Sequence, residues 1–299
     1  MNSRAQVRLL PDGRRLHLHD GPIHVILEGF GETREIEQAY RAAAIRFTSI
    51  LDELCSELPF LRRPAQPDSK QPEGPVARQM LRAVLPFCHD TFITPMAAVA
   101  GAVAEELLGV MTSAATLKRA YVNDGGDIAL HLAPGEQFII GMIELPATPS
   151  LFGTTTIHFD DPIRGIATSG WRGRSFSLGI ADSVTVVASD AALADAAATL
   201  IANAVDLPGH PAIRRIAASD LAPDSDLGTR LVTQTVGNLT NAEIGEALDS
   251  GIVAAESFQR RGVIHSAALT LQGTVRIAEP ARHRPLAHAS AANRRTIYA

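Results

Sequence analysis

The chain has 299 residues, enough for one large domain or two small ones with a substantial buried core. A hydrophobic share of 46% with 20% charged residues is that of a soluble globular protein, and a net charge of −5 argues against a nucleic-acid binder with a domain-wide basic surface. Two cysteines far apart make no disulfide framework, and the opening MNSRAQVRLLPDGRR lacks the apolar core of a signal peptide, so a cytoplasmic location is expected.

Residues 7–27 read as short strands separated by Pro11-Asp12-Gly13 and Asp20-Gly21-Pro22. His17, His19 and His24 fall on them without a fourth ligand or metal-type spacing, so they read as plain strand histidines. Residues 32–58 form an amphipathic helix, with Ile36, Tyr40, Ala43, Phe47, Ile50, Leu51 and Leu54 at helical period. Cys55 lies on it and reads as a small buried hydrophobe. The Pro-rich run 62–75 is an exposed, mobile loop inside the domain. Helix resumes over 76–85, and Pro95 opens another over 96–110. The apolar window 92–111 contains Pro95, Glu105 and Glu106, which make it a poor membrane span. Ala97, Ala98, Ala100, Gly101, Ala102 and Ala104 give that helix a surface of small side chains, suited first to close helix packing and second to a flat ligand. Cys88-His89-Asp90 is not a relay, because triad members meet in space rather than along the chain.

The strand 119–123 runs into Asp124-Gly125-Gly126-Asp127, and 128–132 continues as strand. Asn123 and Asp127 flank a glycine pair that a ligand can approach with no Cβ in the way. Segments 137–144 and 154–159 extend an antiparallel meander. The organising stretch is 165–205: a turn Thr168-Ser169-Gly170-Trp171-Arg172-Gly173-Arg174-Ser175, a β-branched strand 183–188, an N-cap at Ser189 or Asp190, and a helix of Ala and Leu. Leu193, Ala197, Leu200, Ile201 and Ala204 make a core stripe on this helix. Asp195 and Thr199 stand on the opposite face among alanines, so that face is covered too and the carboxylate needs a partner. The partner is either a structural hydrogen bond or a hard metal ion over a phosphate. Thr240 to Glu243 has the form of a capping box and opens a helix that Gly262 ends, 263–277 is strand-like, and 281–299 reads as a disordered tail.

Asn123-Asp124-Gly125-Gly126-Asp127, Thr168-Ser169-Gly170, and the strand 184–188 followed by Ala194-Asp195-Ala196-Ala197-Ala198-Thr199 resemble, in order and spacing, the motifs of the ApbE-like flavin transferase superfamily. Pro95-Met96-Ala97-Ala98-Val99-Ala100-Gly101 and the run 173–182 resemble an uncharacterised, cytoplasmic branch of it. The resemblance covers about residues 10–280 and implies an α+β fold of the tunnelling-fold-like type, antiparallel sheets packed with helices, as a single domain over 1–280. It implies FAD or FMN in a cleft, with Mg2+ held by Asp195 and Thr199. Ala100, Gly101, Asn123, Gly125, Gly126 and Asp127 would line that cleft, and Thr168, Ser169 and Gly170 would face the phosphates. The residues themselves add Arg172 and Arg174, whose guanidinium groups suit phosphate oxygens. The family reaction moves FMN from FAD to a hydroxyl of an acceptor protein.

Two positions depart from the family pattern. The transferases have Lys-Gly where this chain has Ala100-Gly101, and a histidine segment where it has the run 176–182, which leaves Asp182 as the available base. A non-catalytic binding module on the same fold is therefore the second reading, and a thiol-based sulfur-handling role at Cys88 the third. Small helices and edge strands are compatible with a homodimer; no nucleic acid or membrane is expected as a partner.

Overall fold

Alternation builds the sheet: Leu16, Leu18 and Asp20 turn inward while His17 and His19 between them remain partly exposed. A computed structural model describes residues 4–143, 151–279 and 296–298. The strands are β1 (Gln6–Leu9), β2 (Leu16–Asp20), β3 (Ile23–Phe30), β4 (Arg119–Asp124), β5 (Asp127–Leu132), β6 (Gln137–Ile143), β7 (Leu151–His158), β8 (Gly165–Ser169), β9 (Ser183–Ala188), β10 (Ile213–Ala217), β11 (Leu231–Val236), β12 (Ser266–Leu271), β13 (Thr274–Ala278) and β14 (Thr296–Tyr298). The helices are α1 (Thr33–Leu61), α2 (Pro75–Val84), α3 (Val99–Ala114), α4 (Ala191–Ala204), the single turn α5 (Ala218–Leu221) and α6 (Asn241–Arg260). Nine strands pair antiparallel in the order β1-β2-β3-β4-β5-β8-β9-β12-β13. The fold is α+β.

One face of this sheet carries the helices. α1 buries Ala39, Ala43, Phe47, Ile50 and Leu54 at helical period, and a fully buried Phe such as Phe47 contributes roughly 1.5–3 kcal/mol. α4 is apolar nearly all round, with Ala191, Ala194, Ala196, Ala197, Ala198, Ile201 and Ala202 buried, so both of its faces are covered. Pro95–Ala114 is long and apolar enough to cross a membrane by length and composition. Here α3 lies among α1, α2, α4, β4 and β5, with Val103, Leu107 and Met111 buried. Thr240 caps α6 with the reciprocal Glu243 bond of a capping box, and Gly262 follows at φ +70°.

The structure departs from the sequence reading at five places. β6 and β7 do not extend the main sheet; they form a second, three-stranded sheet, packing Phe138, Ile140 and Ile157 on Tyr121, Ile128 and Leu130. The segment read as a disordered tail supplies β14, which pairs parallel with β6; the rest of that reading, 281–295 and 299, lies outside the described residues, as does the strand end expected at 144. β10 and β11 form an unanticipated ribbon. Cys55 is exposed, because it falls beside rather than on the buried stripe of α1. The loop after α1 is tied in places: Ala65 donates its N–H to Ile93, and the Glu57 carboxylate takes the N–H groups of Glu73 and Gly74, 2.8 Å each.

Candidate functional site

The β4–β5 turn needs its glycines. Gly125 and Gly126 sit at φ +69° and +120°, and the Asn123 side chain accepts the Gly126 N–H at 2.9 Å. Register pairs Asp124 with Asp127 across the turn, so both side chains point to the helix-covered face, while Asn123 points to the other. Asp124 and Asp127 are 4% and 8% exposed. Helix α4 brings a third carboxylate, Asp195, to the same place.

Each of the three accepts main-chain donors. Thr168 N–H donates to Asp127 Oδ1 at 3.1 Å, and His24 N–H to Asp124. Asp195 Oδ2 accepts Gly101 N–H at 3.1 Å, and the Ala100 N–H also reaches that carboxylate. These bonds do not offset burial. Desolvation pushes Asp124 and Asp195 up to about 7, and pushes Asp127 well up with the Asp195 charge as second cause. The exposed Arg174 opposes this at Asp124 and Asp127. Its guanidinium rests on Gly125, where a Cβ would stand 2.0 Å from Nη2. Gly126 faces open space, with nothing within 4 Å of a Cβ built there.

The structure thus brings together Asn123, Gly125, Gly126, Asp127, Thr168, Arg174 and Asp195 from the expected set, with Ala100 and Gly101 through their N–H groups. It does not leave Gly101 free to contact a flat ligand. A Cβ there would lie 2.3 Å from the Ala191 carbonyl oxygen, so the small residue serves the close crossing of α3 and α4. The Thr168 hydroxyl pairs with that of Thr185 at 2.9 Å, and Thr199 lies one turn beyond Asp195, partly buried. Asp182 is the larger correction. Its Oδ1 accepts Trp171 Nε1 and Arg172 Nε at 3.1 and 2.7 Å, and its Oδ2 accepts Gln272 N–H at 2.6 Å. Both oxygens are committed to fastening the 170–174 turn onto the β12–β13 hairpin, which suits a latch rather than a base. Arg172 is committed with it and stacks on Trp171, 4.7 Å from the ring centroid. Gly170 lets the turn close, since a Cβ would meet the Asp182 carbonyl oxygen at 2.4 Å; Ser169 ends β8 just before it. At the third expected site the Cys88 thiol donates to the Leu85 carbonyl at 3.1 Å, and Asp90 pairs with Arg261.

The residue that sequence reasoning passed over is Asp124, which stands at a variable position of the motif. The available signal was its spacing: three residues before Asp127 across a two-residue glycine turn, it must share that residue's face. Oxygen-only donors, buried at Asp124 and Asp127 and half-buried at Asp195, are of the type that suits a small divalent cation. No group of three or more His, Cys, Asp or Glu among the described residues has the geometry of a metal cage.

Residues 7–277 match the family model described as AbpE bacteria. A UPF0280 protein of Methanococcoides burtonii is 31% identical over 179 residues, which cover 60% of this chain and 72% of that protein. Another, from Methanothrix thermoacetophila, is 39% identical over 123 residues, covering 40% of this chain and half of the relative. Among solved structures, the flavin transferase ApbE from Vibrio cholerae overlays with a TM-score of 0.38 at 12% identity, over 93% of this chain and 98% of that one. The apo form of Pseudomonas stutzeri flavinyl transferase ApbE gives 0.38 at 11%, over 93% and 94%. The match over 7–277 makes this chain a member of the AbpE bacteria family.

Proposed function

We propose that the chain binds a flavin nucleotide, FAD or FMN, together with Mg2+ at the end of the sheet where Asp124, Asp127 and Asp195 meet. One observation carries the reading: three carboxylates are gathered under a turn that is open at Gly126 and carries the exposed Arg174 on Gly125. A cation there removes the repulsion that burial imposes. Asp127 and Asp195 would hold it, with Thr199 one turn along α4, and it would neutralise charge at the pyrophosphate. Arg174 supplies a guanidinium for phosphate oxygens, and Gly126 lets them come close to the backbone. The amides of Ala100 and Gly101 keep the Asp195 carboxylate aimed.

Transfer of FMN from FAD to a protein hydroxyl, with AMP leaving, is the family reaction this site would serve. A binding module without transfer is the second reading, favoured by the latched Asp182 and by Ala100 in place of a cation. A thermal-shift titration with FAD, FMN and ADP, each with and without Mg2+, tests the binding. Saturation stabilises by about 2.7 kcal/mol at a hundredfold excess of ligand over Kd. The expected outcome is a magnesium-dependent FAD shift that Asp195→Asn abolishes; no shift with any flavin sinks the reading. AMP release on adding a hydroxyl-bearing acceptor protein separates transferase from binding module.

A further inference from the structure

The outermost strand of the main sheet, β1, pairs with β2 on one side and with no strand on the other among the described residues, and all four of its residues are exposed. Native sheets seldom leave such an edge uncovered. Val7 and Leu9 stand opposite Leu18 and Leu16, on the face that α1 covers further in. They are 46% and 50% exposed where Leu18 and Leu16 are buried. α1 runs alongside: Arg4 donates to Asp52 at 2.8 Å, and Leu9 lines a cavity with Glu37 and Arg41. Ile45, one turn on from Arg41, is exposed too. The edge presents apolar side chains together with open main chain.

The hydrogen-bond pattern says which main-chain groups face outward. Leu10 N–H donates to the Arg15 carbonyl at 2.8 Å, so by alternation Arg8 and Gln6 also turn their N–H and C=O groups to β2. Those of Val7 and Leu9 point away from the sheet. A second copy can lie antiparallel along this edge about a twofold axis, and the side chains select its register. Centred on Leu9, the pairing sets Val7 against Pro11, which has no N–H and lies past the strand end. Centred on Arg8 or on Gln6, it sets Arg8 directly against the other copy's Arg8 or Arg4, and like charges so placed are destabilising. Centred on Val7, it lets the two valines exchange both main-chain bonds and sets Gln6 against Arg8 twice, amide carbonyl to guanidinium.

We propose that β1 is the interface of a reversible homodimer, in which the edges of two copies pair antiparallel about Val7 and join two nine-stranded sheets into one. The occupant is a second copy because the edge complements itself, and the twofold axis makes every contact twice. Nothing in this interface depends on flavin binding at the Asp195 end. A short strand pair is a small interface, so the dimer is weak and dissociates on dilution.

Sedimentation of the full chain over about 1–200 μM tests this. The expected result is a mass that rises from monomer toward dimer. Val7→Pro removes the N–H donated across the axis, spares the bonds to β2, and holds the protein monomeric at the highest concentration. Gln6→Glu sets a carboxylate against Arg8 twice and tightens the dimer by about threefold, and Gln6→Arg weakens it by about as much. With the exposed Cys55 changed to serine, Val7→Cys forms an intermolecular disulfide under mild oxidation, since its counterpart Cα is about 5.5 Å away. Leu9→Cys does not, because the two copies of that position lie about 14 Å apart in this register. A protein monomeric throughout, a dimer that survives Val7→Pro, no disulfide in Val7→Cys, or one formed as readily in Leu9→Cys would each overturn the proposal.

Discussion

Two regions flank one helix crossing, and they solve the same electrostatic problem with different completeness. α3 and α4 meet at their N-termini, where both helix dipoles are positive and N–H groups lack intrahelical partners. Each helix sends a carboxylate to the other: Asp195 of α4 takes the Gly101 N–H, and Glu105 of α3 takes the Ala192 N–H. On the Glu105 side one further carboxylate, Asp190, is itself occupied as the N-cap. On the Asp195 side two more, Asp124 and Asp127, arrive from the sheet, and among the described residues main-chain N–H groups and the exposed Arg174 answer them. A helix N-terminus stabilises a carboxylate by about 0.3–1 kcal/mol, up to about 2 when partly buried. That is enough for one such acid and not for three, so the Asp195 side keeps the larger electrostatic cost.

The largest effect on this comparison comes from closing the crossing itself. Gly101→Ala places a methyl 2.3 Å from the Ala191 carbonyl oxygen and 2.7 Å from the Ala192 Cα, both backbone, so the helices must part. A loss of about 1–3 kcal/mol or more is expected in urea denaturation, with both regions disturbed together.

Charge separates the two sides next. The Asp124 carboxyl sits at about 7 in the folded protein against 3.8 ordinarily, so between those values the folded state keeps a proton the unfolded chain has lost. Stability due to this group is therefore full below about pH 4, falls as the pH rises to about 7, and stays low above. Asp124→Asn cannot lose that proton. Measured without Mg2+, the variant should match wild type near pH 4 and exceed it at pH 8 by on the order of 2 kcal/mol. A gain independent of pH would show that the carboxylate is not strained by burial.

The smallest effect is on the better-satisfied side. Glu105→Ala removes the acceptor for the Ala192 N–H and should cost about 1 kcal/mol at pH 5, whereas Glu105→Gln keeps it. Equal stability of Ala and Gln variants in chemical denaturation would mean that the Ala192 bond contributes nothing.

Local pattern made much of this legible. The stripes on α1 and α4, the glycine turn and the Thr240 capping box are properties of consecutive residues, and alanines around Asp195 announced a covered face that needed a partner. What that partner was, the amides of Ala100 and Gly101, depends on a helix 94 residues away in the chain. Asp124 became a member of the site only through register, when β3 set Val25 opposite it and turned the His24 N–H toward its carboxylate. Asp182 read as a free base because nothing near it in sequence reveals that Gln272 arrives from the β12–β13 hairpin. The pairing of β14 with β6 is equally non-local.

The exchange of carboxylates between α3 and α4 also has a mechanical side. First turns of helices are where fraying begins, because their N–H groups are held by so little. Here the acceptor for one helix's first turn is carried by the other helix, at 3.1 Å in one direction and 2.8 Å in the other. Neither start can unwind without withdrawing a clasp from its neighbour, so two helix ends distant in sequence behave as a single joint.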